Sequence, residues 1–194
     1  KAEKEKVVTR FAPNPNAPFH LGNARTALLS KEYAVRYNGK FILRFDDTDP
    51  KVKKPIDNAE EVFREDLEWL GCTPDETLFA SDRLEIYYDY MRKAIEKNAA
   101  YVCDCPVEEW RKKIQKKSGC KCRDLKPKEQ LERFEKMVSN ETKEGQAVLR
   151  IKTDLLHPDP SVRDWWAAKI VDKPLHPNAN ATGSHVWPSY NFAS

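Results

Sequence analysis

The 194-residue chain contains no uninterrupted apolar run approaching the roughly 20 residues that a membrane-spanning helix requires, and its basic start, Lys1-Ala2-Glu3-Lys4, leads into no apolar signal segment. The expectation is a cytoplasmic protein with no membrane partner. Strong charge of one sign is lacking too. Thirty-four Lys and Arg against 31 Asp and Glu leave a net charge of +3, which is too small to predict a nucleic-acid partner. An initiating methionine is absent, and the sequence stops at Tyr190-Asn191-Phe192-Ala193-Ser194 in mid-pattern, so it reads as a fragment of a longer protein. What is present, 40% apolar and 34% charged residues, is the composition of a soluble globular chain. It is long enough for one domain with an insertion or for two small domains.

Charge is distributed unevenly. Arg111, Lys112, Lys113, Lys116, Lys117, Lys121, Arg123, Lys126 and Lys128 stand together against the single acid Asp124, whereas Asp57 to Leu70 is acidic. A lysine-rich face is most often simply solvated, so this patch alone does not establish RNA binding.

Val7 to Phe11 reads as a short strand, and a helix is predicted from about Gly22 to Tyr37, stopped by Asn38-Gly39, both tolerant of the left-handed conformation. Lys40 to Phe45 reads as a second strand. Strand, helix and strand in that order predict a parallel βαβ unit with its binding site at the carboxyl ends of the strands, where residues 12–20 and 46–50 fall. Ile56 to Leu70 has helical apolar spacing and is closed by Gly71. Asp82 is placed to cap a further helix over Leu84 to Asn98, whose Tyr87, Tyr88, Tyr90 and Met91 read as core and interface. Beyond Asn98, short strands at 101–103, 147–153 and 166–171 and helices at 108–117 and 128–143 predict an α+β module. The expected organisation is 1–98 as the first half of a Rossmann-like α/β domain, 99–185 as an insertion, and 186–194 as a return to the first domain.

The segment Arg10-Phe11-Ala12-Pro13-Asn14-Pro15-Asn16-Ala17-Pro18-Phe19-His20-Leu21-Gly22-Asn23 carries the strongest chemical signal. Pro13, Pro15 and Pro18 preset the path of the loop by fixing φ. His20 and Asn23 lie three apart on the first helical turn, Gly22 between them adds no side chain, and free backbone N–H groups at a helix start favour an anion. The pattern reads as a phosphate cradle.

His20-Leu21-Gly22-Asn23 resembles the His-x-Gly-x signature of class I aminoacyl-tRNA synthetases. Arg10 to Pro15, Asn23-Ala24-Arg25-Thr26-Ala27-Leu28 and Phe45-Asp46-Asp47-Thr48-Asp49-Pro50 resemble the glutamyl-tRNA synthetase family, especially its archaeal type, over nearly the whole chain. The resemblance implies a Rossmann-like catalytic domain with an inserted acceptor-end-binding module. It implies a ligase that activates glutamate with ATP and Mg2+ to glutamyl-adenylate, then transfers it to the 3' end of tRNA. By the same resemblance, Pro13, His20, Gly22 and Asn23 bind ATP, with His20 and Asn23 stabilising charge on the phosphates. Asn23 departs from the commoner second histidine. Arg10, Ala12, Asn14, Asp46, Tyr190 and Ser194 line the glutamate pocket, with Arg10 on the side-chain carboxylate and Asp46 on the α-ammonium. Lys112, Lys113, Lys116, Lys117, Lys121 and Arg123 face the acceptor-end phosphates of glutamate tRNA or of glutamine tRNA as well. A Lys-Met-Ser-Lys-Ser-like loop has no counterpart here, so these residues alone are expected to be inactive. Glutaminyl-tRNA synthetase and a non-catalytic RNA-binding paralogue are the alternatives; Ala12, Arg25 and Thr26 sit better with the glutamate enzyme.

Five cysteines are present. Cys103-x-Cys105 and Cys120-x-Cys122 make two close pairs that suit a tetrahedral zinc site, while Cys72 stands apart. Four reduced thiols without metal remain the other reading, and Cys-x-Cys is a weaker signal than Cys-x-x-Cys. Some members of the family carry a zinc knot at this location.

Overall fold

The computed structural model describes residues 7–194; the basic start Lys1-Ala2-Glu3-Lys4 lies outside the described residues. The chain divides into two compact units, the residues up to Asp82 together with Leu175–Ala181, and Arg83–Pro174 together with Thr182–Ser194.

The first unit runs β1 (Val8–Phe11), α1 (Leu21–Arg36), β2 (Lys40–Phe45), α2 (Ala59–Trp69) and β3 (Glu76–Phe79). The strands form one parallel sheet in the order β1-β2-β3, which is the predicted βαβ unit extended by one strand. That third strand was not expected, because four residues carry little period. Asp75 starts it by closing the ladder twice: its N–H donates to Phe41 O at 2.8 Å, and its carboxylate accepts from Phe41 N at 2.7 Å. Phe41, Leu43 and Phe45 of β2 alternate onto a core with Phe11, Ala27, Ala34, Phe63 and Leu67, all buried. Phe63 meets Phe45 and Phe19 edge to face, with centroids 5.3 and 5.5 Å apart, a geometry worth about 0.5–1.5 kcal/mol per pair beyond burial.

The stop of α1 works differently at its two residues. Asn38 alone is left-handed, at φ 50°. Gly39 is required by a close approach, because a Cβ there would stand 2.1 Å from the Val7 carbonyl oxygen. Helix α2 begins at Ala59 rather than Ile56, and the Ile56 N–H is bound to Pro15 O at 2.9 Å in the loop before α1.

The second unit contains α3 (Leu84–Glu96), β4 (Ala100–Cys103), α4 (Val107–Gln115), α5 (Pro127–Val138), β5 (Val148–Ile151), β6 (Trp166–Ile170), β7 (Val186–Pro188) and α6 (Tyr190–Ala193). Its sheet is antiparallel throughout, in the order β4-β5-β6-β7, so the module is α+β as expected.

The boundaries differ from those read in the sequence. Helix α3 belongs to this unit because Tyr87, Tyr88, Met91 and Ile95 are buried there, and Tyr88 packs on Phe134 while its hydroxyl donates to Val186 O at 2.7 Å. Residues 186–194 stay with it because β7 pairs with β6. Residues 175–181 go to the first unit instead. Of the stripe read as core and interface, Tyr87, Tyr88 and Met91 are buried and Tyr90 is 59% exposed. Asp82 does not cap α3, whose N-cap is Arg83; the Asp82 carboxylate instead accepts from the Asn178 and Asn180 side chains, each at 2.8 Å.

A polar hub holds the interior of the second unit. Asp164 is fully buried, and it accepts from Tyr101 Oη at 2.9 Å, Arg123 Nε at 2.8 Å and the Thr153 N–H at 2.9 Å. Burial, with the Asp164 charge beside it, pushes the Tyr101 hydroxyl far above its ordinary pKa. Among the described residues no helix is long and apolar enough to cross a membrane.

Candidate active site and candidate metal centre

The two special loops meet at the carboxyl ends of β1 and β2. The Asp46 N–H donates to Pro13 O at 2.9 Å, which fastens the acidic turn to the proline-rich loop. Pro13 is buried, Ala12 half-buried, and Arg10 and Asn14 are exposed. Asp46 is 4% exposed, and its Oδ1 is held by Arg44 through Nε at 2.9 Å and Nη2 at 2.6 Å. The other oxygen, Oδ2, is buried without a hydrogen-bond partner. Burial raises the Asp46 pKa above the usual carboxylate value; the charges of Arg44 and Arg10 oppose the rise. A buried acceptor left open costs free energy unless something completes it.

The neighbouring carboxylate is saturated. Asp47 accepts from the Ser81 N–H at 2.8 Å and from Ser81 Oγ at 2.6 Å, and burial raises its pKa despite those bonds. Asp49 caps its own turn, accepting from the Lys51 and Val52 N–H groups at 3.1 and 3.0 Å, as expected of a turn residue.

At the start of α1, His20 and Asn23 form a reciprocal cap. His20 Nδ1 accepts from the Gly22 N–H at 3.1 Å, and Asn23 Oδ1 accepts from the His20 N–H at 3.1 Å. Capping occupies the Gly22 and His20 N–H groups, but the two side chains enter it only through acceptor atoms, so their own donors stay available to an anion. With Nδ1 accepting, the neutral ring carries its proton on Nε2. That N–H and the Asn23 amide NH2 are the donors left for a ligand. Gly22 has a local reason to be glycine: a Cβ would lie 2.9 Å from His20 Cε1, so the imidazole occupies that space.

Tyr190 and Ser194 fall in the second unit, at the first residue of α6 and just past its end, and both are exposed. The structure also supplies residues that the motif reading missed: Arg44, Ser81, His176 and Asn178. Only Arg44 left a sequence signal, as the one charge inside an otherwise apolar stretch of β2.

The four clustered cysteines converge in the second unit. Their Sγ atoms lie within 4.8 Å of one another, with Cys103 and Cys120 3.8 Å apart and Cys105 and Cys122 3.7 Å apart. Zn–S bonds of about 2.3 Å in a tetrahedron separate sulfurs by about 3.8 Å, so donor set and spacing both fit zinc. Cys105 is half-buried and the other three are buried; Cys72 is in the first unit, apart from the cluster. In the metal-free cluster, hydrogen bonding from Cys103 lowers the Cys120 thiol to about 5, whereas burial and Asp104 raise Cys122 to about 12.

The predicted basic surface divides. Lys112, Lys116, Lys117 and Lys121 are exposed, and Lys113 lies 3.8 Å from Glu109. Arg123 is turned inward, bound to Asp164 and to Thr153 O at 3.0 Å, so it is a structural residue and not part of that surface.

Residues 6–194 match the family model for class I tRNA synthetases (E and Q), catalytic domain. The chain belongs to this family. It is 60% identical over 196 residues to the glutamate–tRNA ligase of Pyrococcus furiosus, covering all of this chain and 34% of that protein. It is 50% identical over 194 residues to that of Ignicoccus hospitalis, with the same coverage. The chain therefore spans about a third of the length of the curated relatives it matches. A crystal structure of a glutamate tRNA ligase from Elizabethkingia meningosepticum, in complex with its amino acid, shares the fold with TM-score 0.64. It is 24% identical, with 97% of this chain and 40% of that chain covered.

Proposed function

We propose that this chain forms part of a glutamate–tRNA ligase, and that its first unit binds glutamate and ATP. The observation that carries the reading is Asp46. Its carboxylate is buried and aligned by Arg44 through one oxygen, while the other oxygen lacks a donor. An α-ammonium group supplies that donor and a positive charge at once. Arg10, close enough for its charge to act on Asp46, has a planar fork suited to the side-chain carboxylate of the same amino acid. Ala12 and Asn14 lie along the loop between them.

In the same reading the phosphates of ATP, with Mg2+, lie at the start of α1 against His20 Nε2–H and the Asn23 amide. These donors stabilise charge on the phosphate under attack without needing to move a proton. The relatives named above favour glutamate over glutamine as the amino acid. Tyr190 and Ser194 enter the proposal through the family resemblance alone. The exposed lysines 112, 116, 117 and 121 would meet tRNA phosphates, and a cytoplasmic location goes with this role.

Cys103, Cys105, Cys120 and Cys122 would hold one structural Zn2+ that ties β4 to the segment after α4. Metal analysis of protein purified without chelator should find about one equivalent per chain. Metal-free protein of equal stability would remove the site.

The main test is glutamate-dependent ATP–pyrophosphate exchange by the complete protein. Arg10→Ala should raise the KM for glutamate far more than that for ATP. Unchanged glutamate dependence would overturn the pocket assignment.

A further inference from the structure

Residues 175–181 form a strap in the first unit, and the family motifs do not account for it. The Leu175 N–H donates to Pro50 O at 2.8 Å. The His176 ring is 3% exposed; its Nε2 lies 2.7 Å from Asp47 O and 3.5 Å from Asp47 Oδ2. Asn178 Nδ2 donates to Ser81 Oγ at 2.6 Å, and Ser81 in turn binds the Asp47 carboxylate. Strap, Ser81 and Asp47 thus make one continuous hydrogen-bonded network, with the His176 ring and the Asp47 carboxylate at its buried end.

The tautomer of His176 follows from its partners. The Asn178 N–H donates to Nδ1 at 3.1 Å, so Nδ1 is unprotonated. The carbonyl oxygen of Asp47 can only accept, so Nε2 carries the proton and donates it. A neutral ring satisfies both partners.

We propose that His176 is a positioning residue for glutamate, acting through the main chain of the acidic turn. Asp46 is tied on one side by its own N–H to Pro13 O, and the residue after it, Asp47, is anchored through its carboxylate on Ser81 and through its carbonyl on His176. With the peptide before Asp46 held and Asp47 anchored after it, the Asp46 backbone keeps little freedom, and with it the direction of the open Oδ2. Without the His176 donor, the peptide after Asp47 loses its buried partner and the carboxylate spreads over more orientations. Misplacement of a binding group by about 1 Å can cost about 100-fold. The inference rests on the reading of Asp46 as the α-ammonium site.

The two ring nitrogens have separate jobs, so two substitutions separate them. His176→Asn keeps an acceptor near Nδ1 for the strap but loses the donor to Asp47. His176→Gln keeps a donor near Nε2. In pyrophosphate exchange by the complete protein, H176N should raise the glutamate KM about 10-fold with the ATP KM within about 2-fold, and H176Q should recover most of the loss. Equal behaviour of the two variants, or a matching rise in the ATP KM, would overturn the proposal.

Asp46→Asn keeps the two readings apart. If it leaves glutamate use intact, the site reading itself fails; if it impairs glutamate use while H176N does not, only the role of His176 fails. Should H176N not fold, the wild-type protein provides the test. Its 15N imidazole spectrum should show His176 as the Nε2–H tautomer at neutral pH, shifting when glutamate saturates the site. A different tautomer, or a signal indifferent to glutamate, contradicts the proposal.

Discussion

Each unit buries an aspartate against an arginine, and the two pairs are finished differently. In the second unit, Asp164 uses both oxygens: Tyr101 and Arg123 on one, the Thr153 N–H on the other. In the first, Arg44 occupies one oxygen of Asp46 and the other is left open in the interior. A saturated carboxylate holds a fold together. An incompletely satisfied one costs stability and is suited to receiving a ligand. The backbone agrees with the division, since Asp164 sits at φ 42°, a left-handed conformation that its surrounding bonds over-determine.

The contrast is broken most forcefully at Asp164. Asp164→Ala should destabilise the second unit by about 3–5 kcal/mol, because it leaves the buried Tyr101 hydroxyl and the Thr153 N–H without their acceptor and Arg123 without its counter-charge. Denaturant unfolding measures this, and a loss below about 1 kcal/mol would show that the hub is not what holds the unit. Phe63→Ala in the first unit should cost a similar or slightly smaller amount, about 3–4 kcal/mol, since it empties the aromatic core beneath Phe45 and Phe19.

Asp46→Asn should behave differently. Asn keeps an oxygen that accepts from Arg44 but removes the charge facing that buried guanidinium, so stability should fall by about 1–2 kcal/mol, less than at Asp164, while glutamate activation collapses. A large loss of stability would make Asp46 a second Asp164.

The smallest expected effect is on pH dependence. Asp46 and Asp47 both have pKa values raised above 3.8, so in the window just above 3.8 the folded first unit binds more protons than the unfolded chain. Its stability should therefore rise on acidification through that window and fall as pH climbs back through it. Segment-resolved hydrogen exchange on β2 and the acidic turn can follow the change. Stability falling with acid across the same range would contradict the burial argument.

Much of the site was legible because its signals are local. The prolines of the 12–20 loop, the spacing of His20 and Asn23, and Asp46-Asp47 at the end of an apolar strand can all be read within a few residues. The cysteine pairs carried their own spacing, and the structure brings them to one point. Arg123 was misplaced for the complementary reason: in sequence it is one more cation in a basic run, and only the fold delivers a buried carboxylate to it. His176 gave no local signal, because its partner Asp47 lies 129 residues earlier.

Local chemistry in the sequence thus determined the elements, the parallel βαβ order, the family and most of the candidate ligand-facing residues, since periodicity, proline, glycine and motif spacing act over short range. The tertiary structure alone decided the division of the chain, the inward turn of Arg123, the open oxygen of Asp46 and the strap behind Asp47. Those depend on which groups remain unsatisfied once distant segments pack, and hydrogen-bond satisfaction in a buried interior is a property of the whole fold.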